Sequence, residues 1–256
     1  MIMHTKKSIV VMANKKYIKH FDEMYYQIRD VGKYSGDIVL LTDNKTNCSK
    51  VKKLSDNKLS ISRFKQIQFS KKTNKSLNMV EFGRNKDKPF QWNKFYLFHE
   101  YFKQWNYIFY LDINMRIHGD INDLLKLGTV NTLYAPYDAY PNLDWTLATQ
   151  FDNKSAVLKD LKNNYNLKNR KYFQTGILFY DTSIIKKSTF KKLYNLTEKY
   201  PISKTNEQGI MNLFFLYDYP AFKRLPEEIN FKKTYTYWKL KDTDSIITKR
   251  DQIEAT

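Results

Sequence analysis

Tyr107-Ile108-Phe109-Tyr110-Leu111-Asp112-Ile113-Asn114 is the stretch from which the rest of the chain is best read. Five consecutive apolar or aromatic residues predict a strand buried on both faces. They run straight into a carboxylate. An acid at the mouth of a buried strand must be paired, hydrogen-bonded or bound to a metal. If the chain stays extended, Asn114 lies on the same side as Asp112. One charged and one neutral oxygen ligand suit a hard divalent cation such as Mn2+ or Mg2+. The competing use is local, because Asp and Asn are favoured turn formers where a strand ends.

Upstream, Ser8 to Ala13 is an apolar run of strand length. Ile18, Phe21, Met24, Tyr25, Ile28 and Val31 then recur at helical spacing, with Gly32 and Gly36 at the end. Asp37 to Asp43 is a second buried strand, so the start of the chain reads as a parallel βαβ unit. Residues 45–94 hold fourteen basic and three acidic side chains. They read as a short third strand and then a mobile, Lys-rich loop near Lys71 to Lys88, either solvated surface or a lid. A helix is predicted from Trp92 to Trp105. Downstream, strands are expected at Leu133 to Pro136 and Gly176 to Tyr180. Helices are expected at Ile121 to Leu127, Ser155 to Asn163, Ile184 to Tyr200 and Glu207 to Tyr217, with Asn206 capping the last. Tyr235, Tyr237 and Trp238 alternate like a half-buried edge strand. The alternation gives a single α/β domain with a central mixed, mostly parallel sheet flanked by helices. Ligands of such sheets sit beyond the carboxyl ends of the strands, here Ala13-Asn14 and Asp112 to Asn114.

Composition narrows the function. With 42% hydrophobic and 16% aromatic residues in 256, the chain is not a disordered one. The single cysteine, Cys48, excludes a disulfide framework and a Cys-based zinc site, and suits a reducing compartment. The net charge is +18, yet only 7 of the 44 basic residues are Arg, the residue nucleic-acid readers favour. The lysine excess is what an AT-rich coding sequence gives, or it draws an anionic partner: a nucleotide, an acidic glycan or a membrane face. No stretch is long enough for a signal-peptide core or a membrane span, so a soluble, cytoplasmic chain is expected. The sequons at Asn44, Asn47, Asn74, Asn153 and Asn195 read as chance. No Gly-rich phosphate loop and no Ser/His/Asp pattern is present, which disfavours P-loop, dinucleotide and hydrolase-triad readings.

Phe109 to Leu125 resembles the strand–DxD–strand–helix block of GT-A glycosyltransferases. The likeness is to family 8, the group that includes glycogenin and bacterial lipopolysaccharide galactosyl- and glucosyltransferases. Further blocks follow in order. Phe173-Gln174-Thr175-Gly176 is similar to the family's Phe-Asn-Ser-Gly strand, Asn206-Glu207-Gln208-Gly209 to its Asp-Gln helix start, and Leu225-Pro226-Glu227-Glu228-Ile229-Asn230 to its Leu-Pro-x-x-Tyr-Asn turn. Ala13 to Tyr17 fits the nucleotide-contacting loop. The resemblance spans roughly residues 8 to 235. It implies a Rossmann-like GT-A domain over 1–256, with a nucleotide-binding half (about 1–115), an acceptor and sugar half (about 116–240) and an extended tail (241–256). The implied activity is retaining, Mn2+- or Mg2+-assisted transfer of a hexose from a UDP-sugar to a glycan, protein or lipid acceptor.

By the same resemblance Asp112 and Asn114 hold the metal, and Ala13, Asn14, Tyr17 and Ile113 meet the nucleoside. Lys94 lies near the diphosphate or sugar. Asp138, Gln174 and Gly176 bound the sugar, and Glu207 and Gln208 sit beneath the anomeric carbon. Gln208 is a poor nucleophile, so the implied route is a same-face displacement assisted by the departing phosphate. Three departures stand out. The second Asp of the motif is Asn114, Gln174 replaces Asn, and the family's late His-x-x-Gly-x-x-Lys-Pro-Trp segment is absent. Lys232, Lys233 or Lys239 is left to neutralise phosphate, and His118 is the nearest histidine to the motif. These departures keep open a sugar-nucleotide-binding protein with weak or lost catalysis, and the charge keeps open a basic nucleic-acid-binding protein. A homodimer and weak contact with an anionic membrane are also compatible with the sequence.

Overall fold

The computed structural model describes residues 5–138, 145–236 and 244–249. Its strands are β1 (Lys7–Met12), β2 (Asp37–Thr42), β3 (Leu59–Arg63), β4 (Tyr107–Asp112), β5 (Met115–Ile117), β6 (Leu133–Ala135), β7 (Ile177–Asp181) and β8 (Phe222–Arg224). Seven of them form one sheet in the order β3-β2-β1-β4-β7-β6-β8. β3, β2, β1 and β4 run parallel to one another, and β6 runs parallel to β8. β7 is antiparallel to both its neighbours. The sheet is therefore mixed and mostly parallel, as expected.

Side-chain alternation in the strands divides two cores. Val10, Val39, Ile108, Tyr110, Leu178 and Tyr180 face one, together with Trp92, Phe95 and Phe102. Ile9, Val11, Ile38, Leu40, Phe109 and Phe179 face the other, with Phe21, Met24 and Ile28. A sheet covered on both faces explains why these strands are unbroken apolar runs. Met12 pairs with Asp112, so the carboxyl ends of β1 and β4 lie level.

The helices are shorter than their patterns. The first amphipathic stretch is α1 (Phe21–Tyr26) between a 3-10 turn at Ile18–His20 and a π-turn at Gln27–Val31. A short α2 (Ser49–Lys52) follows. The Lys-rich segment corrects the loop expectation, because α3 (Lys71–Met79) is a helix. Its N-cap Ser70 accepts a hydrogen bond from the Thr73 amide at 3.2 Å, and Thr73 and Leu77 are buried.

The helix expected from Trp92 to Trp105 is instead two 3-10 segments, Pro89–Phe98 and Glu100–Gln104. They break at His99, whose backbone is extended and whose ring Nδ1 accepts from the Tyr101 amide. After α4 (Val157–Asn164) comes α5 (Thr189–Lys199), later than expected because Ile184 and Ile185 belong to a separate turn. The helix α6 (Glu207–Leu213) continues as a π-turn at Phe214–Asp218.

Four further short strands follow among the described residues. β9 (Glu228–Ile229) and β10 (Lys232–Lys233) make a hairpin. β11 (Tyr235–Thr236) pairs with β12 (Ile247–Lys249), which pairs with β5. Tyr235 bears out the start of the expected edge strand. Tyr237, Trp238, Lys239 and most of the tail lie outside the described residues.

Candidate active site

Lys94 is the centre of the site. The 3-10 segment Pro89–Phe98 carries it under the end of β4, where it is 2% exposed. Its ammonium lies 3.0 Å from Asp112 Oδ1 and 2.9 Å from Glu207 Oε1, and it donates to the Thr175 carbonyl at 3.2 Å. Burial alone lowers a lysine's pKa; here the Asp112 and Glu207 charges outweigh it and hold Lys94 above its ordinary value. Tyr110 donates to Asp112 Oδ1 at 2.5 Å. Burial first, and the Asp112 charge second, push that phenol far above its usual range, so it remains a donor.

A second network comes from α6 and the segment Phe173 to Gly176 that leads into β7. Gln208 Nε2 donates to Asp138 Oδ2 at 2.7 Å and to Gln150 Oε1 at 2.9 Å, and its Oε1 accepts the Thr175 amide at 3.1 Å. The Thr175 hydroxyl donates to Glu207 Oε1 at 2.9 Å, joining the two networks. Asn212 brackets Phe173, accepting from its amide at 2.9 Å and donating to its carbonyl at 2.8 Å, which docks α6 against this segment. Gln174 turns back to accept the Gly176 amide at 2.6 Å. A Cβ on Gly176 would stand 2.5 Å from Met115 Cε, 2.7 Å from Gln174 Oε1 and 3.2 Å from Asp112 Oδ2, so a larger residue here would displace the Met115 and Gln174 side chains beside the carboxylate.

Two hollows meet at Lys94, Asp112 and Gln91. The outer one, of about 690 Å3, is lined by Ala13, Asn14, Lys16, Tyr17, Lys88, Ile113 and Asn114. The inner one, of about 470 Å3, is lined by Asp138, Gln174, Gly176, Glu207, Gln208, Tyr235 and the cations Arg84 and Lys249. Asp112, Asn114, Ile113, Ala13, Asn14, Tyr17, Lys94, Asp138, Gln174, Gly176, Glu207 and Gln208, the residues the resemblance assigns to metal, nucleoside and sugar, therefore all line one hollow or the other.

Three details correct the expectations, and the places of Lys94 and His118 become plain. The chain turns at Ile113-Asn114 instead of staying extended. Asn206 makes no side-chain cap; its amide nitrogen donates to the Lys88 carbonyl and Gln91 Oε1. Lys94 is a buried bridge between the Asp112 and Glu207 carboxylates. Lys232 and Lys233 line a separate hollow with Phe231 and His118. His118 lines that hollow too and pairs with Thr248 at 2.8 Å; burial, then Arg116, lower its pKa. Arg84, Lys249, Gln150, Thr175 and Thr205 were not anticipated.

The donor set fits a divalent cation of modest affinity. Asn114 Oδ1 is buried with no hydrogen-bond partner among the described residues, and Asp112 lies in the same hollow. These are two protein oxygens with one charge, and that charge faces Lys94. No group of three or more His, Cys, Asp or Glu residues that could hold a metal occurs among the described residues. A cation here needs phosphate oxygens and water for the rest of its shell.

No protein-family model and no curated protein matches the chain. Solved structures do. The galactosyltransferase LgtC, in complex with donor and acceptor sugar analogs, superposes with a TM-score of 0.63 at 10% identity, covering 94% of this chain and 86% of its own. The bifunctional glycosyltransferase WbbM gives 0.60 at 16% identity over 97% of this chain and 46% of its own. GlyE of Streptococcus pneumoniae TIGR4 gives 0.56 at 16% over 90% and 47%. The chain thus spans most of LgtC and about half of the other two. With the seven-stranded sheet and the cleft at its carboxyl edge, these superpositions establish that the chain adopts the GT-A glycosyltransferase fold.

Proposed function

We propose that the chain is a hexosyltransferase that takes a UDP-sugar in this cleft and passes the sugar, with retention, to an acceptor hydroxyl of a glycan, protein or lipid. The observation that carries the reading is the junction of the two hollows at Asp112 and Lys94. The outer hollow offers Ala13, Asn14 and Tyr17 to a nucleoside, with Lys16 and Lys88 on its walls for a diphosphate. The inner hollow offers the paired amides and carboxylates that sort sugar hydroxyls: Asp138, Gln174 and Gln208. A scissile bond between phosphate and anomeric carbon would lie at the junction.

In this reading Asp138 and Gln150 fix the Gln208 amide, so that it meets the sugar in one orientation. Glu207, held by Lys94 and the Thr175 hydroxyl, supplies negative charge below an anomeric carbon that becomes cationic as the bond breaks. Arg84 and Lys249 offset the acids and suit an anionic leaving group. Asp112 and Asn114 would hold Mn2+ or Mg2+, which supplies Lewis-acid stabilisation of the departing diphosphate. The lone carboxylate ligand favours keeping one further reading, a sugar-nucleotide-binding protein with weakened catalysis.

Thermal unfolding with UDP and Mn2+ tests the site. At about 100 times Kd the pair should add about 2.7 kcal/mol of stability. Asp112→Asn keeps an acceptor for Tyr110 and leaves Lys94 paired with Glu207, so it should fold yet lose that stabilisation. An Asp112→Asn protein stabilised as the parent is would overturn the assignment. Release of UDP from a panel of UDP-sugars separates transferase from binding protein.

A further inference from the structure

We infer that the exposed face of α3 and the turn after it dock on an anionic lipid surface. Lys71, Lys72, Lys75 and Met79 are exposed on one side of α3, and Thr73 and Leu77 are buried on the other. Helical spacing gathers the exposed side chains onto one face. Met79 is 73% exposed, and Phe82, three residues on, is 87% exposed. Two large exposed apolar side chains that follow three exposed lysines in the chain match the chemistry of a surface that inserts into a headgroup layer and is held by anionic lipid.

The turn that presents Phe82 is strained. The Gly83 amide donates to the Val80 carbonyl at 3.0 Å, closing a four-residue turn. Phe82 occupies its third position at φ 56, where glycine or asparagine is usual. A bulky residue held there with almost no packing of its own is an outlier of the kind that gathers at functional surfaces.

Two of the acids nearby are engaged elsewhere, and a third, Asp87, lines the outer hollow. Glu198 of α5 accepts from the Ser70 amide and hydroxyl at 2.8 Å and from the Thr73 hydroxyl at 2.6 Å, on the inward side of α3. Glu81 pairs with Lys154 at 2.7 Å. Lys86 and Lys88 extend the basic surface toward the cleft. Among the described residues no helix is long and apolar enough to cross a membrane. Arg84 and Lys88, just beyond Phe82, belong to the walls of the two hollows. Docking through this turn brings the cleft close to the bilayer. The inference holds whether or not the cleft transfers sugar.

Sedimentation of the full chain with vesicles is the test. Pelleting is expected with an equimolar mixture of phosphatidylcholine and phosphatidylglycerol, not with phosphatidylcholine alone, and should weaken as salt rises. Replacing Lys71, Lys72 and Lys75 with Glu should lower the partition coefficient at least about five-fold per lysine. Met79→Ser and Phe82→Gly should each lower it about ten-fold. Glycine takes φ 56 without strain, so Phe82→Gly is expected to hold or raise Tm, and its loss of binding cannot be unfolding. Equal pelleting of Phe82→Gly and the parent overturns the inference, as does equal pelleting on both vesicle types. Capture of a homopolymeric RNA by these lysines without vesicle binding assigns the surface to nucleic acid and also overturns it.

Discussion

Lys94 sits where an isolated ammonium is unstable, and that fact gives the sharpest residue-level expectation. Removing one partner of a buried ionic group strands the other, at about 3–5 kcal/mol. Lys94→Met leaves Glu207, 1% exposed, with only the Thr175 hydroxyl on Oε1 and no partner on Oε2 among the described residues. Chemical denaturation should show a loss of that order, and the double variant Lys94→Met, Glu207→Gln should recover much of it. If the two losses simply add, the ion pair is not what holds this corner. The native pKa of Lys94 is raised above 10.5, so its contribution is whole at neutral pH and fades only as pH climbs past that value. Asp112 was legible in the sequence because it ends a buried apolar run, and Lys94 and Gln208 were legible only through the resemblance of their blocks. Gln150, Thr175 and Arg84 were not. Nothing local separates a useful glutamine from an ordinary one, and Arg84 is one of 44 basic residues.

At the scale of elements, α6 begins in a costly way. Asn206 is fully buried at φ 54 and ψ −122, a conformation that glycine adopts freely and asparagine does not. Its carbonyl accepts from Ser203 Oγ at 2.6 Å, and its amide reaches Lys88 and Gln91, which line the hollows. The geometry ties the first turn of α6, with Glu207 and Gln208, to the opposite wall of the cleft. Two substitutions separate the backbone from the side chain. Asn206→Gly loses the amide hydrogen bonds, about 1–3 kcal/mol, but relieves the backbone. Asn206→Ala loses the same bonds and keeps the strain, about 1 kcal/mol more. The expected order of Tm is parent, then Gly, then Ala; Ala equal to Gly would show that the backbone is unstrained. The strands were readable because a sheet covered on both faces forces unbroken apolar runs. The helices were less so. Trp92 to Trp105 has an apolar face wide enough for a helix, but the break at His99 comes from tertiary packing. The pattern of α3 was hidden by its lysines, because Leu77 and Thr73 are its only buried residues.

At the scale of the whole molecule, the net charge of +18 was plain from composition, but where it acts was not. The inner hollow is nearly balanced, with Arg84, Lys94 and Lys249 against Asp112, Asp138 and Glu207. The surplus stands outside it, much of it on residues 45–94, from which Lys88 reaches the outer hollow. A balanced cleft inside a basic surround acts on the approach of an anion more than on its final contacts. The association rate of UDP should therefore fall steeply as ionic strength rises, by about ten-fold or more between dilute and physiological salt. Uridine, which carries no phosphate, should associate at a rate that salt barely changes, and the dissociation rate of UDP should move less than its association rate. Stopped-flow measurement of both ligands over a salt series checks this. Parallel salt slopes for UDP and uridine would mean that the lysine surplus does not steer ligand into the cleft at all.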